Sequence, residues 1–144
     1  MSITTQPAPA TTAVGLSLTR LHVMRAGDLL MGLGLAVAKW PLLPAAHTLP
    51  HYEGIAVCLL TAMSLLALLG LRYPVKLIPL LLFEVVWKLL WLALVALPKA
   101  IAGNLDAATM QTIFNCSLVV AILAVIPWRY VWNTYVRAAG DRWQ

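Results

Sequence analysis

Of the chain's 144 residues, 62% are hydrophobic and 10% charged, whereas soluble domains usually hold ~45–50% apolar and ~25% charged residues. A single domain of this size cannot bury so much apolar surface against itself, which excludes a soluble globular protein and makes lipid the solvent for most of the chain. The net charge of +5 forms no basic patch interleaved with aromatics, so nucleic acid is not the expected partner and the excess Lys and Arg read as membrane topology.

Residues 1–19 are rich in Thr, Ala and Pro, carry no charge, and hold no apolar run before Arg20. They read as a disordered tail, not as a cleavable signal. Four apolar stretches follow, at roughly 21–39, 53–71, 76–97 and 111–127. Each is near the ~20 residues a helix needs to cross a hydrocarbon core of ~30 Å. They are too long for the ~9–11-residue alternating strands of a membrane β-barrel. The fold expected is all-α: an up-down-up-down four-helix transmembrane bundle over residues 20–127, with residues 128–144 as an interfacial cytoplasmic segment.

The first stretch carries Arg25, Asp28, Gly32, Ala36 and Lys39 within about one third of the helical wheel. Gly32 and Ala36 form a small-xxx-small step that lets another helix approach closely. Trp40-Pro41 and Pro44 end this helix. The connection after it brings His47, His51 and Glu53 close together in sequence. A metal site needs three or four converging ligands on an ordered scaffold, and Pro44 and Pro50 argue against helix there. No metal is therefore expected, and this cluster is the one candidate if there is one.

The second stretch places Thr61 and Ser64 on nearly one face and ends in a tight turn from Gly70 to Pro74. The third reads LLFEVVWKLLW, with Glu84 and Lys88 one turn apart. On the insertion scale each of two such residues costs ~2.5–3.5 kcal/mol at a helix centre. The fourteen Leu, Ile, Val and Phe of residues 76–97 return ~0.3–0.6 kcal/mol each, so the helix inserts with little margin unless the charges are paired. Glu before Lys at i,i+4 is the favourable order. Trp91 continues that stripe and Trp87 borders it. Pro98 is expected to close the helix. The fourth stretch offers Gln111 and Asn115 and closes at Pro127.

Beyond Pro127, Trp128, Val131, Trp132 and Tyr135 share one helical face, with Arg129, Asn133 and Arg137 on the other. That pattern suits a helix lying in the membrane interface near anionic lipid. Basic residues alternate by side: Arg20, Arg25, Arg72, Lys76, Arg129, Arg137 and Arg142 on one, Lys39 and Lys99 on the other. The positive-inside rule then expects both ends and the 72–75 turn in the cytoplasm of a bacterial inner membrane.

Asp28 and Glu84 fall at similar depth, so Arg25, Asp28, Glu84 and Lys88 are expected to form one buried charged network. Trp87, Trp91, Ser64 and Asn115 are candidates to line a pocket beside it. Two readings compete. Intramembrane ionisable residues mark proton relays or polar ligand sites, and paired charges also fix helix register without chemistry. Cys58 and Cys116 fall in apolar segments at matching depth, where a thiol is ordinarily inert packing. No nucleophile triad, phosphate loop, haem attachment or metalloprotease motif is present, so no catalytic residue is assigned.

In its first half the chain resembles the DoxX-like group of small four-helix bacterial membrane proteins. The residues carrying the resemblance are Arg25, Gly32-Leu-Gly34 and Lys39 in the first helix. In the second they are Glu53-Gly54 and the closing Leu69-Gly70-Leu71-Arg72. The third helix, with Glu84, Trp87, Lys88 and Trp91, has no counterpart in that pattern. The resemblance implies a four-helix membrane fold and, for some members, quinone-linked or oxidative-stress redox roles. Three functions are therefore carried forward. The first is an accessory or interaction protein whose charged seam fixes packing or docks a partner subunit or a second copy. The second is a redox component handling a quinone-like substrate, with quinone as the only cofactor entertained. The third is a small proton-coupled carrier acting as an oligomer.

Overall fold

Ser17 starts the first helix, its hydroxyl accepting from the backbone N–H of Arg20 and so satisfying one of the donors that a helix start leaves free. The computed structural model describes residues 15–138 and residue 140. Most of the expected tail, Arg142 and the end of the C-terminal segment lie outside the described residues. Helix α1 runs Leu18–Lys39, three residues longer at its start than the apolar run suggests, because the cap is Ser17.

A 3₁₀ segment, Trp40–Thr48, comes directly after it. The sequence argued against helix here. Pro41 sits in its first turn, where the missing N–H has no role. Helix α2 spans His51–Gly70 with Pro50 as its cap residue and Glu53 in its first turn.

Helix α3 spans Ile78–Trp91, continues as a π turn over Leu92–Ala96, and goes on as α4, Leu97–Ile101. Pro98 was expected to close the span. It does not, because the π turn precedes it: the N–H of Leu97 reaches back to the carbonyl of Leu92, and Pro98 falls in the first turn of α4, where a proline is tolerated. Gly103, at φ +69°, ends α4 in the left-handed region that glycine adopts without penalty.

Asp106 caps the last span, accepting from the N–H of Thr109 at 2.6 Å. Helix α5, Ala107–Ser117, therefore begins four residues ahead of the expected 111. It breaks at Leu118 and resumes as α6, Val119–Val125. The Ser117 hydroxyl donates to the carbonyl of Ile113 at 2.8 Å, a back-bond that bends helices. A short helix α7, Trp128–Val131, and a π turn, Trp132–Arg137, complete the described chain. Trp128, Trp132 and Tyr135 are exposed while Val131 is buried. No strand is present among the described residues.

Four helical spans result, Leu18–Thr48, His51–Gly70, Ile78–Ile101 and Ala107–Val125, each long and apolar enough to cross a membrane. Neighbours run antiparallel. On α1, Gly32 packs against Leu68 of α2 and Gly27 against Val125 of α6; an added Cβ would meet them at 2.9 and 2.7 Å. Small residues thus let α1 sit close to both neighbours, which matters in lipid, where dispersion contacts replace the hydrophobic drive between helices. The shared core includes Met24, Met31, Ile78, Leu81, Ile122 and Ile126. Leu94, Val37, Phe114 and Val120 stand among many large apolar side chains left on the outside, as expected of surfaces facing acyl chains.

Candidate functional site

The polar groups of the bundle sort into two places. The first is the end of the bundle that bears Arg20, Ile126 and the 71–77 connection. There Arg20 donates to the carbonyl of Ile126 at 2.6 Å and Arg25 donates through Nε to the carbonyl of Leu71 at 3.0 Å. Both acceptors lie just past a helix end, where carbonyls lack intrahelical donors and attract cations. Arg25 therefore closes the end of α2 instead of pairing with Asp28.

Asp28, one turn further in, is completely buried. Neither of its oxygens has a hydrogen-bond partner among the described residues. Its carboxyl group lies against Gly70 of α2. Ser64, also fully buried, donates to the carbonyl of Gly32 at 2.8 Å and ties α2 to α1. Ser64 packs between these two helices and is not part of the cavity described next.

The second place is a cavity of about 310 Å³ between α1, α3 and the α5–α6 pair, at the small end of the ~300–1,000 Å³ typical of ligand sites. Glu84, Trp87 and Lys88 reach it from α3, Lys39 and Met31 from α1, and Thr112, Asn115 and Cys116 from α5. Positions i, i+3 and i+4 share a helix face, and Glu84, Trp87 and Lys88 use that spacing to build one cluster. Glu84 Oε1 lies 2.7 Å from Lys88 Nζ, and Trp87 Nε1 donates to Glu84 Oε2 at 2.7 Å. The Lys88 ammonium also stands 5.8 Å from the centroid of the Trp87 ring, within cation–π range. It reaches the carbonyl of Asn115 at 3.5 Å, spanning from α3 to α5.

The expected four-member network is thus divided. Glu84 and Lys88 are brought together with Trp87 and Asn115. Asp28 and Arg25 lie apart from them, with no ion pair to either among the described residues. The stripe on the α1 wheel misled because Asp28 points to α2 and not across to α3. Trp91 is half-buried and not part of the cavity wall. His47, His51 and Glu53 are not buried, and no three His, Cys, Asp or Glu side chains among the described residues converge on a point. Cys58 is exposed and Cys116 buried, both as free thiols.

Lys39, Gly34, Thr112 and Cys116 belong to the cavity and were not singled out as its lining. A signal for the last two was present: Thr112, Asn115 and Cys116 repeat at i, i+3 and i+4, the polar face of an otherwise apolar helix.

These features define a small, all-helical, multi-pass membrane protein with a buried carboxylate, paired to a lysine, beside a cavity within its bundle. The chain matches no family model, no curated protein and no solved structure.

Proposed function

We propose that this chain is an accessory protein of a bacterial cytoplasmic membrane, with both ends in the cytoplasm, that works by helix contact with a membrane partner or a second copy of itself. The observation that supports the reading is the state of Glu84. Both of its oxygens are occupied by groups on its own helix, Lys88 and Trp87. A carboxylate so held shapes a helix face; a proton relay needs an acceptor left open. The spans also keep large apolar side chains on their outer faces, surfaces that suit lipid or a partner helix. The excess of Arg on the termini side supports the orientation, and the first-half resemblance to DoxX-like proteins is in keeping with the setting.

The test is genetic. Glu84→Gln and Lys88→Met, introduced together into the chromosomal copy, should leave the protein in the membrane and the phenotype of the deletion strain complemented. A double variant that accumulates normally, folds, and fails to complement would overturn the contact reading.

A second reading is favoured by the cavity itself. Trp87 and apolar walls beside a carboxylate suit a quinone-like substrate in a redox role. It expects quinone to accompany the gently purified protein at near-stoichiometric levels; protein purified free of quinone argues against it.

A further inference from the structure

The lining of the cavity is unequal in its hydrogen-bonding capacity. Glu84 is its only acidic side chain, and that carboxylate is already satisfied. Lys39 has no ion-pair partner or hydrogen-bond acceptor among the described residues. The Asn115 side chain accepts from Gln111 at 3.5 Å, which leaves its NH₂ donors free. With Lys88 offset by Glu84, one positive charge remains, on Lys39. The site therefore offers donors and a cation to whatever enters it.

Its shape is equally directional. The wall supplied by α1 runs from Leu30 to Lys39, about 14 Å at ~1.5 Å per residue. Lys39 is the last residue of α1, and Trp40 beside it is an aromatic of the kind that sits at the membrane interface. The deep end is apolar, with the buried Met31 and Ile122. Leu30 and Leu118 line the cavity and are also half exposed. They form a rim that opens sideways, because α5 makes its main contacts with α3 and the π turn and not with α1.

We infer that this cavity is a binding site for an anionic amphiphile, a carboxylate or phosphate headgroup on Lys39 and Asn115 with its acyl chain lying along α1 toward Met31. The chemistry is that of a free fatty acid or of an anionic phospholipid. This site does not rest on the contact role proposed above, which uses the apolar outer faces of the spans; either can fail alone.

Gly34 supplies a clean test. It lines the cavity, and a Cβ added there meets nothing within 4 Å, so the Gly34→Leu side chain starts into open space and narrows the groove. The full chain is placed in nanodiscs of zwitterionic lipid with a spin-labelled fatty acid, and the motionally restricted fraction is read by electron paramagnetic resonance. Dodecanoate or monododecyl phosphate should displace the label at concentrations at least tenfold below those needed for dodecanol or a decyl-substituted quinone. Lys39→Gln and Gly34→Leu should each weaken binding tenfold or more. Displacement by phosphatidylglycerol built into the disc identifies a phospholipid occupant; displacement by single-chain anions alone identifies a free fatty acid. Equal displacement by dodecanol, a better fit for the quinone, or unchanged binding by Lys39→Gln would overturn the proposal. If Gly34→Leu fails to fold, the Lys39→Gln comparison decides alone.

Discussion

Gly70 of α2 lies so close to Asp28 of α1 that a Cβ built on it would stand 2.6 Å from the Asp28 carboxyl carbon. The two helices meet there through a hydrogen atom on one side and a carboxyl group on the other. Overpacking at such a contact typically costs ~1–3 kcal/mol. Gly70→Ala should therefore lower stability by about 2 kcal/mol, measured as resistance to denaturing detergent in mixed micelles. Asp28→Ala in the same chain should recover most of the loss, since it removes the atoms in the way.

Asp28 itself is enclosed without a donor or cation among the described residues. A buried polar group left unpaired opposes folding, and an unpaired charge opposes it more. Asp28→Asn keeps the shape and deletes the charge. The expected change is within about 1 kcal/mol of the parent, or a gain. A loss well beyond that, in the same detergent titration, would mean that the carboxyl group holds a ligand.

Glu84 and Lys88 should behave as a unit. Removing either partner strands the other beside the cavity, and breaking a buried pair commonly costs ~3–5 kcal/mol. Because Lys88 is 12% exposed, about 2 kcal/mol for each single variant is the better expectation. Glu84→Gln with Lys88→Met should cost no more than either single variant, about 2 kcal/mol. The cycle should give a coupling energy of ~1–3 kcal/mol; additive losses would show that the pair does not hold α3.

Asp106 gives a pH signature. The Thr109 backbone N–H and hydroxyl, then Lys99 at 3.8 Å, hold its carboxyl below the ordinary aspartate value. A group depressed in the folded state contributes fully above its unfolded pKa, near ~4 for Asp, and the contribution disappears as pH falls through the folded value. The start of α5 should thus loosen below about pH 4. Amide exchange at Thr109 and Met110 should rise there in the parent. Asp106→Asn, which cannot titrate, should show no such step.

The four spans were legible because length and apolar content alone decide what can cross a bilayer, and caps account for the shifted boundaries. Ser17 and Asp106 are ordinary N-cap residues, and reading them as such extends α1 and α5 to their observed starts. The Glu84–Lys88 pair was legible because both members lie on one helix and their spacing is enough. Asp28 and Arg25 were not, because their surroundings come from α2, and a wheel drawn for α1 carries no information about which neighbour its stripe faces. Arg25 finds the carbonyl of Leu71, an acceptor present at every residue and therefore invisible to a search among side chains. The cavity was legible in part: Trp87 and Asn115 of its expected lining do line it, but its α1 wall was missed, because it arises where α5 packs on α3 and not on α1, and a void has no residues of its own.

The π turn over Leu92–Ala96 has a consequence for chain length. It winds one residue more into its turn than an α-helix does, which rotates the helix beyond it by about a quarter of a circle. Lys99 lies eleven residues beyond Lys88, a spacing that in unbroken α-helix returns to nearly the same face. Instead Lys99 turns away and donates to the hydroxyl of Thr109 at 3.0 Å, beside the connection to the last span. Deleting one residue within Leu92–Ala96 would restore regular helix while leaving Lys99 pointing as it does now. The same deletion between Glu84 and Lys88 would swing every later side chain out of place. Homologous chains one residue shorter in the third span should therefore have their gap at this turn.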